Sequence, residues 1–458
     1  MRPRPAPSPA VPGGHGRYHI ETWGCQMNVH DSEKLAGLLE SEGYARAAGI
    51  GDADVILLNT CSVREKAAEK FFSELGRLRG WKRGRPETVL GVCGCVAQDQ
   101  GVSILDRAPH VDFVLGPRSA VGTLPDLLRR LRSGDESARH TVDVEVRDDS
   151  ILFPFERIRR EGEGSGKAYV TVIEGCNHRC SFCIVPRTRG RESCRDLDDV
   201  LSEVRSLSAR GVLEVEFLGQ TVNAYRDGAG RTLGDLLRAA AEIDGIERIR
   251  FTTSHPAQMT SSLVEAMAAA RPKLCPYLHL PFQSGSSEVL RAMRRGYDRE
   301  GYLERIRQVR RRIPEMSFGT DVIVGFPGEG DPEFLETLEL LDAVPFDTVY
   351  SFAYSPRPAT SALALGDPVP QEVKLLRLTT LQARQKRVQE VRNAARVGEI
   401  VEVLVEGPSL RNPTEWSGRA PDNRVVNFSG DVAPGRLVRV EVDRSSAFSL
   451  YGHAAGSA

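Results

Sequence analysis

Three cysteines stand close together near the middle of the chain, and their spacing suits an iron–sulfur cluster. They are Cys176, Cys180 and Cys183, in the sequence EGCNHRCSFC. Three thiolates at this spacing can bind three irons of a [4Fe–4S] cluster, which in an electron carrier normally receives four. The fourth iron then stays open to a substrate or cosubstrate. The alternative is a zinc site, although zinc usually takes paired Cys-x2-Cys units. His178, inside the loop, is expected to be a surface or packing residue.

A second set of cysteines lies in the first hundred residues: Cys25 in TWGCQMN, Cys61 in NTCSVRE and Cys95 in GCVAQ. Each follows the carboxyl end of a predicted strand, and in an open α/β sheet those ends share one edge, where ligands gather. The three could hold a second cluster, or they could be unrelated core cysteines, because a free cysteine often packs as a small hydrophobic residue. Cys93 competes with Cys95 for the third position. The cysteines expected to be non-ligands are Cys93, Cys194 and Cys275.

The elements that carry these cysteines predict an α/β fold with a small all-β domain at its end. In residues 17–132, short apolar runs alternate with helix-like stretches, which predicts a parallel sheet covered by helices. The runs and stretches are 18–22, 31–42, 54–59, 63–78 and 88–92. Residues 1–16 are expected to be a disordered tail. Residues 133–161 are charged and lack periodicity, so they are expected to form a linker.

A second alternating series occupies residues 162–393. Its predicted strands are 168–173, 212–218, 248–252, 277–280, 317–324 and 348–352. Six βα units predict a partial (β/α)6 barrel, because a closed eight-stranded barrel needs more chain. Asp196 is expected to cap the first long helix of this series. After a long helix near 371–395, residues 394–456 predict a small all-β barrel of short alternating strands.

The chain resembles the radical S-adenosylmethionine methylthiotransferase family. The resemblance rests on the run GCNHRCSFCIVPRTRGRES, on the three N-terminal cysteine motifs and on SGRAPDNRVVNF at 417–428, which is similar to the tRNA-gripping TRAM domain. It implies two [4Fe–4S] clusters and S-adenosylmethionine as both radical source and methyl donor. One cluster would lie on Cys176, Cys180 and Cys183 and would generate the radical. The other would lie on Cys25, Cys61 and Cys95 and would present sulfur.

Four motifs at predicted strand ends also match the family: LGQTVN (218–223), TSHP (253–256), HLPFQSGS (279–286) and DVIVGFPG (321–328). Barrel active sites form at the carboxyl ends of strands, so cosubstrate and adenine are expected at these loops. By analogy, Gly219 and Gln220 would hold the methionyl end of S-adenosylmethionine. Ser254, Gln283 and Asp321 are further candidate contacts, although a role in a turn is as well supported for each.

Two motifs, TWGCQMN (22–28) and NTCSVREKA (59–67), favour the subfamily that acts on tRNA at the adenosine next to the anticodon. The implied reaction is methylthiolation at C2 of N6-dimethylallyladenosine. The alternatives are threonylcarbamoyladenosine in tRNA or an aspartate of a ribosomal protein. An aromatic carbon–hydrogen bond has no acidic proton and no leaving group, so acid–base chemistry does not open it and a radical cofactor is required.

Composition limits the partners less than the motifs do. The formal net charge of −1 over 458 residues says nothing about nucleic acid, so any footprint must be local. Residues 291–312 hold nine arginines and three acids, which is either a solvated helix face or a tRNA contact. No apolar stretch is long enough to span a membrane. Nine cysteines without a signal peptide indicate a reducing cytoplasm. A low-potential electron donor, a monomer and no membrane partner are expected.

The glycine-rich sequence GEGSGK (162–167) suggests a phosphate loop only superficially. Alanine follows its lysine where the phosphate-binding pattern needs serine or threonine, so it is expected to be linker.

Overall fold

The structure is a computed structural model that describes residues 14–62, 65–147, 153–159, 164 and 166–456, with the side chains of 65–68 excepted. The chain divides into two compact units. The first holds the described residues up to 159 together with Glu174–Asn177 and Ile184–Ser193. The second holds the described residues from 164 to 173, His178–Cys183 and the chain from 194 onward. Most of the expected N-terminal tail, residues 1–13, lies outside the described residues.

The first unit contains a parallel sheet, as expected, and this sheet has six strands. Its strands are β1 (Arg17–Trp23), β2 (Ala45–Arg46), β3 (Val55–Thr60), β4 (Val89–Gly94), β5 (Phe113–Leu115) and β6 (Thr141–Asp143). Its helices are α1 (Gln26–Ser41), α2 (Glu65–Arg83), α3 (Cys95–Gln100), α4 (Ser103–Arg107), α5 (Ala120–Arg132) and α6 (Val185–Thr188). The strand order is β2-β1-β3-β4-β5-β6, with every pair parallel.

The register of this sheet brings three strand ends to one level. Every residue of β3 is buried, as both faces of a parallel sheet are when helices cover them. Trp23 at the end of β1 pairs with Thr60 at the end of β3, and Thr60 pairs with Gly94 at the end of β4. The residues that follow these three strands therefore start from neighbouring points on one edge of the sheet.

The segment expected to be a linker contributes to this sheet. Strand β6 lies within it and pairs with β5. Phe153 and Ile158 are buried in the same hydrophobic cluster as Leu35 and Leu39 of α1. A three-residue strand is too short to give a periodic signal, so the sequence pattern could not reveal it.

The second unit contains the six predicted parallel strands in chain order. They are β7 (Lys167–Thr171), β10 (Glu214–Leu218), β11 (Arg248–Phe251), β12 (Tyr277–His279), β13 (Ser317–Val324) and β14 (Thr348–Ala353). The two-residue strands β8 (Ile173–Glu174) and β9 (Ser193–Cys194) lie between the first two in the sequence and have one residue in each unit. They form two three-stranded sheets, β7-β10-β11 and β12-β13-β14. A parallel bridge joins Ile249 of β11 to Leu274, which lies three residues before β12. The partial barrel is thus confirmed.

Amphipathic helices cover the outside of these strands and supply one large hydrophobic core. They are α7 (Leu197–Ala209), α8 (Leu233–Ala241), α9 (Ser261–Ala269), α10 (Ser287–Ala292), α11 (Arg299–Arg312), α12 (Asp331–Ala343) and α13 (Gln371–Ala394). Asp196 caps α7, as predicted: its side chain accepts a hydrogen bond from the backbone N–H of Asp198 at 2.9 Å.

The chain ends in a closed five-stranded barrel. Its strands are β15 (Ile400–Pro408), β16 (Trp416–Arg419), β17 (Val425–Ser429), β18 (Leu437–Ser445) and β19 (Leu450–Ala454), in the order β15-β16-β17-β19-β18. Arg248 and Arg250, at the start of β11, donate hydrogen bonds to backbone carbonyls of this barrel. The acceptors are Glu402, Arg419, Ala420 and Pro421, at 2.8–2.9 Å.

Candidate functional site

Cys25, Cys61 and Cys95 each follow one of three adjacent strands of the first unit. Cys61 directly follows β3, and its backbone N–H donates to the carbonyl of Trp23 at 3.0 Å. Gly24 has φ +148, and a Cβ there would lie 2.7 Å from the Cβ of Cys61, so only glycine allows this approach. Cys25 caps the N-terminus of α1 and Cys95 begins α3, where the helix dipole favours a thiolate.

The surroundings of Cys25 and Cys95 within the first unit shift their two pKa values in opposite directions. A hydrogen bond from Cys61 lowers the pKa of Cys25 to about 6, against the opposing effect of burial and with help from Arg189. Burial raises the pKa of Cys95, and Arg189 works against this rise. The Nε of Arg189 donates to the Sγ of Cys95 at 3.3 Å. Sequence reasoning missed Arg189, because nothing in its motif shows where its side chain points.

The structure distinguishes Cys93 from Cys95. Cys93 lies inside β4 and packs in the hydrophobic cluster beneath the sheet. Burial, together with the nearby Asp31, raises its pKa to about 12. Cys95 therefore has an arginine N–H beside its sulfur, whereas Cys93 is a core residue of the sheet. Cys275 is also buried in the core, and burial raises its pKa to about 11.

The cysteines of the central triplet have well-defined local surroundings. Cys176 is buried in the first unit, and its backbone N–H donates to Gly190 at 3.1 Å. Cys180 and Cys183 belong to the second unit, where the N–H of Cys183 donates to the carbonyl of Cys180 at 3.1 Å. The Sγ of Cys180 accepts a hydrogen bond from Nη1 of Arg295 at 3.2 Å.

His178 is a packing residue, as its position between the cysteines suggested. Its ring stacks on that of His255, with centroids 3.8 Å apart and planes 12° from parallel. Burial, with the neighbouring Arg295 and His178, lowers the pKa of His255 to about 2, so its ring is neutral. The TSHP loop thereby lies against the cysteine loop within the second unit.

The strand-end loops of the second unit carry backbone strain. Thr253 and Gln283 both have positive φ, +66 and +68, a conformation that a β-branched residue such as threonine strongly disfavours. Such outliers cluster at functional sites. Gln283 is held by hydrogen bonds from its N–H to Asp321 O and to its carbonyl from Ile323 N, both 2.9 Å.

The predicted cosubstrate contacts lie at these loops. Gly219 directly follows β10. It packs so closely against Ile173 that a Cβ at this position would lie 2.3 Å from the Ile173 side chain. Gln220 follows it and is half-buried. Ser254 is buried, and its hydroxyl has no hydrogen-bond partner within the described part of the chain. A buried hydroxyl without a partner is costly, so an additional polar group is expected there.

Asp321 lies on the inner face of the second sheet. Its Oδ1 is 3.1 Å from Nε2 of His279. Tyr350 pairs with it in the register of β13 and β14, and Phe352 pairs with Ile323 two residues further on. Tyr350 and Phe352 are 48% and 44% exposed, and His279 packs edge-on against Tyr350. The face therefore combines one carboxylate with open aromatic surface.

Four of the nine arginines in the stretch 291–312 pair with carboxylates, and Arg299 with Glu339 is the first of these pairs. Arg307 and Arg311 pair with Glu304, and Arg312 pairs with Glu265 at 2.5 Å. Arg305 donates to the carbonyl of Pro256. For the paired arginines, these contacts favour the solvated helix face over a tRNA contact.

No disulfide joins the nine cysteines, all of which lie in the described part of the chain. Across the described ranges, no three His, Cys, Asp or Glu side chains converge where a single metal ion would fit. A cubane cluster makes a different demand, because each cysteine binds a separate iron and the sulfurs stand apart. A sulfur with an arginine N–H beside it, as at Cys95 in the first unit and at Cys180 in the second, suits an iron–sulfur cluster.

Three family models match successive parts of the chain. They are described as Uncharacterized protein family UPF0004, over residues 17–116, Radical SAM superfamily, over 170–341, and TRAM domain, over 394–455. A protein of Alkalilimnicola ehrlichii named tRNA-2-methylthio-N(6)-dimethylallyladenosine synthase is 47% identical over 451 residues, covering 96% of this chain and 98% of its own. The chain belongs to the tRNA-2-methylthio-N(6)-dimethylallyladenosine synthase family. It is a radical S-adenosylmethionine enzyme.

Other comparisons agree with this family. A synthase of the same name from Halorhodospira halophila is 48% identical and covers 95% of this chain and 92% of its own. The solved structure of the radical S-adenosylmethionine methyltransferase TsrM from Kitasatospora setae, with tryptophan substrate and a SAM analog bound, matches with TM-score 0.56 at 16% identity, over 76% of this chain and 74% of that one. This likeness concerns the fold alone. Among the described residues, no helix has the length and apolar character needed to cross a membrane.

Proposed function

We propose that this chain transfers a methylthio group to C2 of N6-dimethylallyladenosine in tRNA, next to the anticodon. The observation that carries the proposal is identity of 47% along almost the whole length of a synthase with that substrate in its name. The three cysteines at one edge of the first unit support it independently. A second sulfur-rich site distinguishes an enzyme that inserts sulfur from one that only generates radicals.

We assign one [4Fe–4S] cluster to Cys176, Cys180 and Cys183 and a second to Cys25, Cys61 and Cys95. Three sulfur ligands leave one iron of each cluster open, which both roles require. When bound, the clusters supply the electron and the sulfur that this carbon–hydrogen bond chemistry needs. The protein's own part at the second cluster is to lower the pKa of Cys25 and to direct the N–H of Arg189 to the Cys95 sulfur.

The strand-end loops of the second unit are proposed to hold S-adenosylmethionine. Close packing against Ile173 leaves no room for a side chain at position 219, so Gly219 would contact the ligand through its backbone. Gln220 offers a side-chain amide next to it. The unpartnered buried hydroxyl of Ser254 and the strained backbone of Gln283 are further contact points. Asp321, held by His279, is placed to accept a hydrogen bond from an amine or hydroxyl.

The open aromatic surface of Tyr350 and Phe352 suits the substrate base. Single-stranded nucleotides are recognised by stacking on aromatic side chains, at about 1–3 kcal/mol per base. The apolar dimethylallyl group adds surface that Phe352 can bury. The TRAM barrel is proposed to grip the tRNA anticodon stem-loop. The protein is also proposed to be a monomer, to work in the cytoplasm and to receive electrons from a low-potential donor.

Anaerobic reconstitution tests this assignment. Protein loaded with iron and sulfide is mixed with dithionite, S-adenosylmethionine and tRNA that carries N6-dimethylallyladenosine, and nucleosides are analysed by mass spectrometry. The expected products are 5′-deoxyadenosine and 2-methylthio-N6-dimethylallyladenosine, with about eight irons per chain. Matched reactions use tRNA without the dimethylallyl group and tRNA with threonylcarbamoyladenosine, and both are expected to stay unmodified. Cleavage of S-adenosylmethionine without methylthiolated nucleoside would overturn the substrate.

A further inference from the structure

Each set of cysteines has one buried arginine that donates a hydrogen bond to a sulfur. Nε of Arg189 reaches Cys95 at 3.3 Å, and Nη1 of Arg295 reaches Cys180 at 3.2 Å. The two arginines are 2% and 6% exposed. A fully buried guanidinium is costly unless its N–H groups are satisfied, so these contacts are specific features of the fold.

The other N–H groups of each guanidinium are also hydrogen-bonded, and these bonds orient the remaining N–H toward the cysteine sulfur. Nη2 of Arg189 donates to the carboxylate of Asp31 at 2.6 Å. Arg295 donates through Nε to the Tyr297 hydroxyl at 3.0 Å and through Nη2 to the carbonyl of Pro281 at 3.2 Å. The planar fork of arginine holds these directions together in a way that lysine does not.

The two arginines differ in how their charge is compensated. Arg189 is neutralised by Asp31, with its carboxylate next to the same cysteine. In the described part of the second unit, Arg295 donates to a phenol, a carbonyl and the Cys180 sulfur and pairs with no carboxylate, so its positive charge faces that sulfur uncompensated. Added positive charge and N–H···S bonds stabilise the reduced form of a cluster, which carries one more negative charge.

We propose that Arg295 and Arg189 are positioning residues that separate the reduction potentials of the two clusters. Arg295 raises the potential of the cluster on Cys176, Cys180 and Cys183. Arg189 raises that of the cluster on Cys25, Cys61 and Cys95 less, because Asp31 opposes it. A single electron from the donor therefore goes first to the cluster that cleaves S-adenosylmethionine. This inference rests on the proposed function for the assignment of the two clusters.

The test is an EPR-monitored redox titration of the reconstituted protein. Single-cluster variants, with alanine at the three cysteines of either set, identify each signal. In the parent, the cluster on Cys176, Cys180 and Cys183 is expected to reduce first. Arg295→Gln is expected to shift that midpoint to lower potential and leave the other unchanged. Asp31→Asn is expected to shift only the other midpoint, and to higher potential. Arg291→Gln, an exposed arginine nearby, is the matched control and should shift neither.

A second readout separates tuning from a structural role. At a fixed dithionite potential, Arg295→Gln is expected to cleave S-adenosylmethionine roughly 10–100-fold more slowly than the parent, the usual effect of losing an outer contact to a cluster ligand. A stronger reductant, Ti(III) citrate, should restore most of the rate. If Arg295→Gln does not load iron, Arg295→Lys, which keeps the charge, and Asp31→Asn decide the matter.

Unshifted midpoints in iron-loaded Arg295→Gln, or prior reduction of the cluster on Cys25, Cys61 and Cys95 in the parent, would overturn the inference. Neither result depends on whether tRNA becomes methylthiolated. Failure of the proposed substrate would instead leave both midpoints as expected while no methylthio nucleoside forms.

Discussion

Tyr350 stands opposite Asp321 in the register of β13 and β14, and both lie on the inner face of the sheet. The pair places an exposed aromatic ring beside a carboxylate whose position is fixed by His279. An aromatic ring offers a stacking surface to any base, whereas a carboxylate accepts hydrogen bonds from amino groups. The combination suits a nucleobase that bears an exocyclic N–H.

We predict that Tyr350→Ala raises the KM for dimethylallylated tRNA by about 5–150-fold, the equivalent of about 1–3 kcal/mol of lost stacking. Tyr350→Phe keeps the ring and should stay close to the parent. Steady-state kinetics of methylthio nucleoside formation measure the effect. Leu335→Ala removes an equally exposed apolar side chain from α12 and serves as the control. An equal loss in Leu335→Ala would mean that the effect is not stacking.

Cys93 and Cys95 are predicted to respond in opposite ways to alanine. Cys95→Ala should lower the iron content from about eight to about four per chain, because one cluster loses a ligand. Cys93→Ala removes only a buried core sulfur and should keep about eight, with some loss of stability. Iron and sulfide assays after anaerobic reconstitution measure both. Loss of iron in Cys93→Ala alone would reverse the assignment.

Glu214 is predicted to make the free energy of unfolding depend on pH. Burial alone would raise its pKa, but Arg250, Lys167 and Arg248 together lower the pKa to about 2. A carboxyl with a depressed pKa stabilises the fold above its usual value of 4.5, and this contribution is lost as pH falls from 4.5 to about 2. At neutral pH the contribution is about 3 kcal/mol.

Urea unfolding of Glu214→Gln beside the parent tests this. The variant should be less stable at pH 7, and the difference should shrink as pH falls below 4.5. Since both proteins lose their clusters in acid, only the difference between them is interpreted. A difference that stays constant between pH 7 and pH 3 would contradict the prediction.

At position 253, a glycine variant is predicted to be more stable than an alanine variant, the reverse of the usual order of stability. The φ of +66 at Thr253 costs a residue with a Cβ about 1–2 kcal/mol, which glycine avoids. Thr253→Gly should therefore be more stable than Thr253→Ala in urea unfolding. At Thr320, in the regular strand β13, the order should be the ordinary one, with alanine more stable than glycine. If alanine were more stable than glycine at both positions, backbone strain at Thr253 would be contradicted.

The sequence predicted the elements whose hydrophobic pattern is strong. All six parallel strands of the second unit and the three apolar strands of the first were located within a few residues. Strands β2, β5 and β6 were missed because two or three residues cannot show a period. In the C-terminal barrel, β16 and β19 were missed because SGR and GHA interrupt their alternation.

The candidate cysteines came from spacing and resemblance, while the groups that surround them did not. Arg189 and Arg295 each stand among several arginines with the same local pattern. Only the fold decides which one points inward to a sulfur and which ones, such as Arg311, pair with acids at the surface. The exposed position of Tyr350 could not be predicted from the sequence either, because it depends on β14 being the edge strand of its sheet.

The contact between Arg248 and Arg250 and the C-terminal barrel has an evolutionary consequence. Three of the four residues that they bind in the barrel, Arg419, Ala420 and Pro421, contribute only main-chain oxygens. A main-chain oxygen is the same whichever amino acid carries it. The side chains of the barrel can therefore change as tRNA partners change, while its contact with β11 is kept. Substitutions at the two arginines should be far less tolerated than substitutions at the residues that they bind.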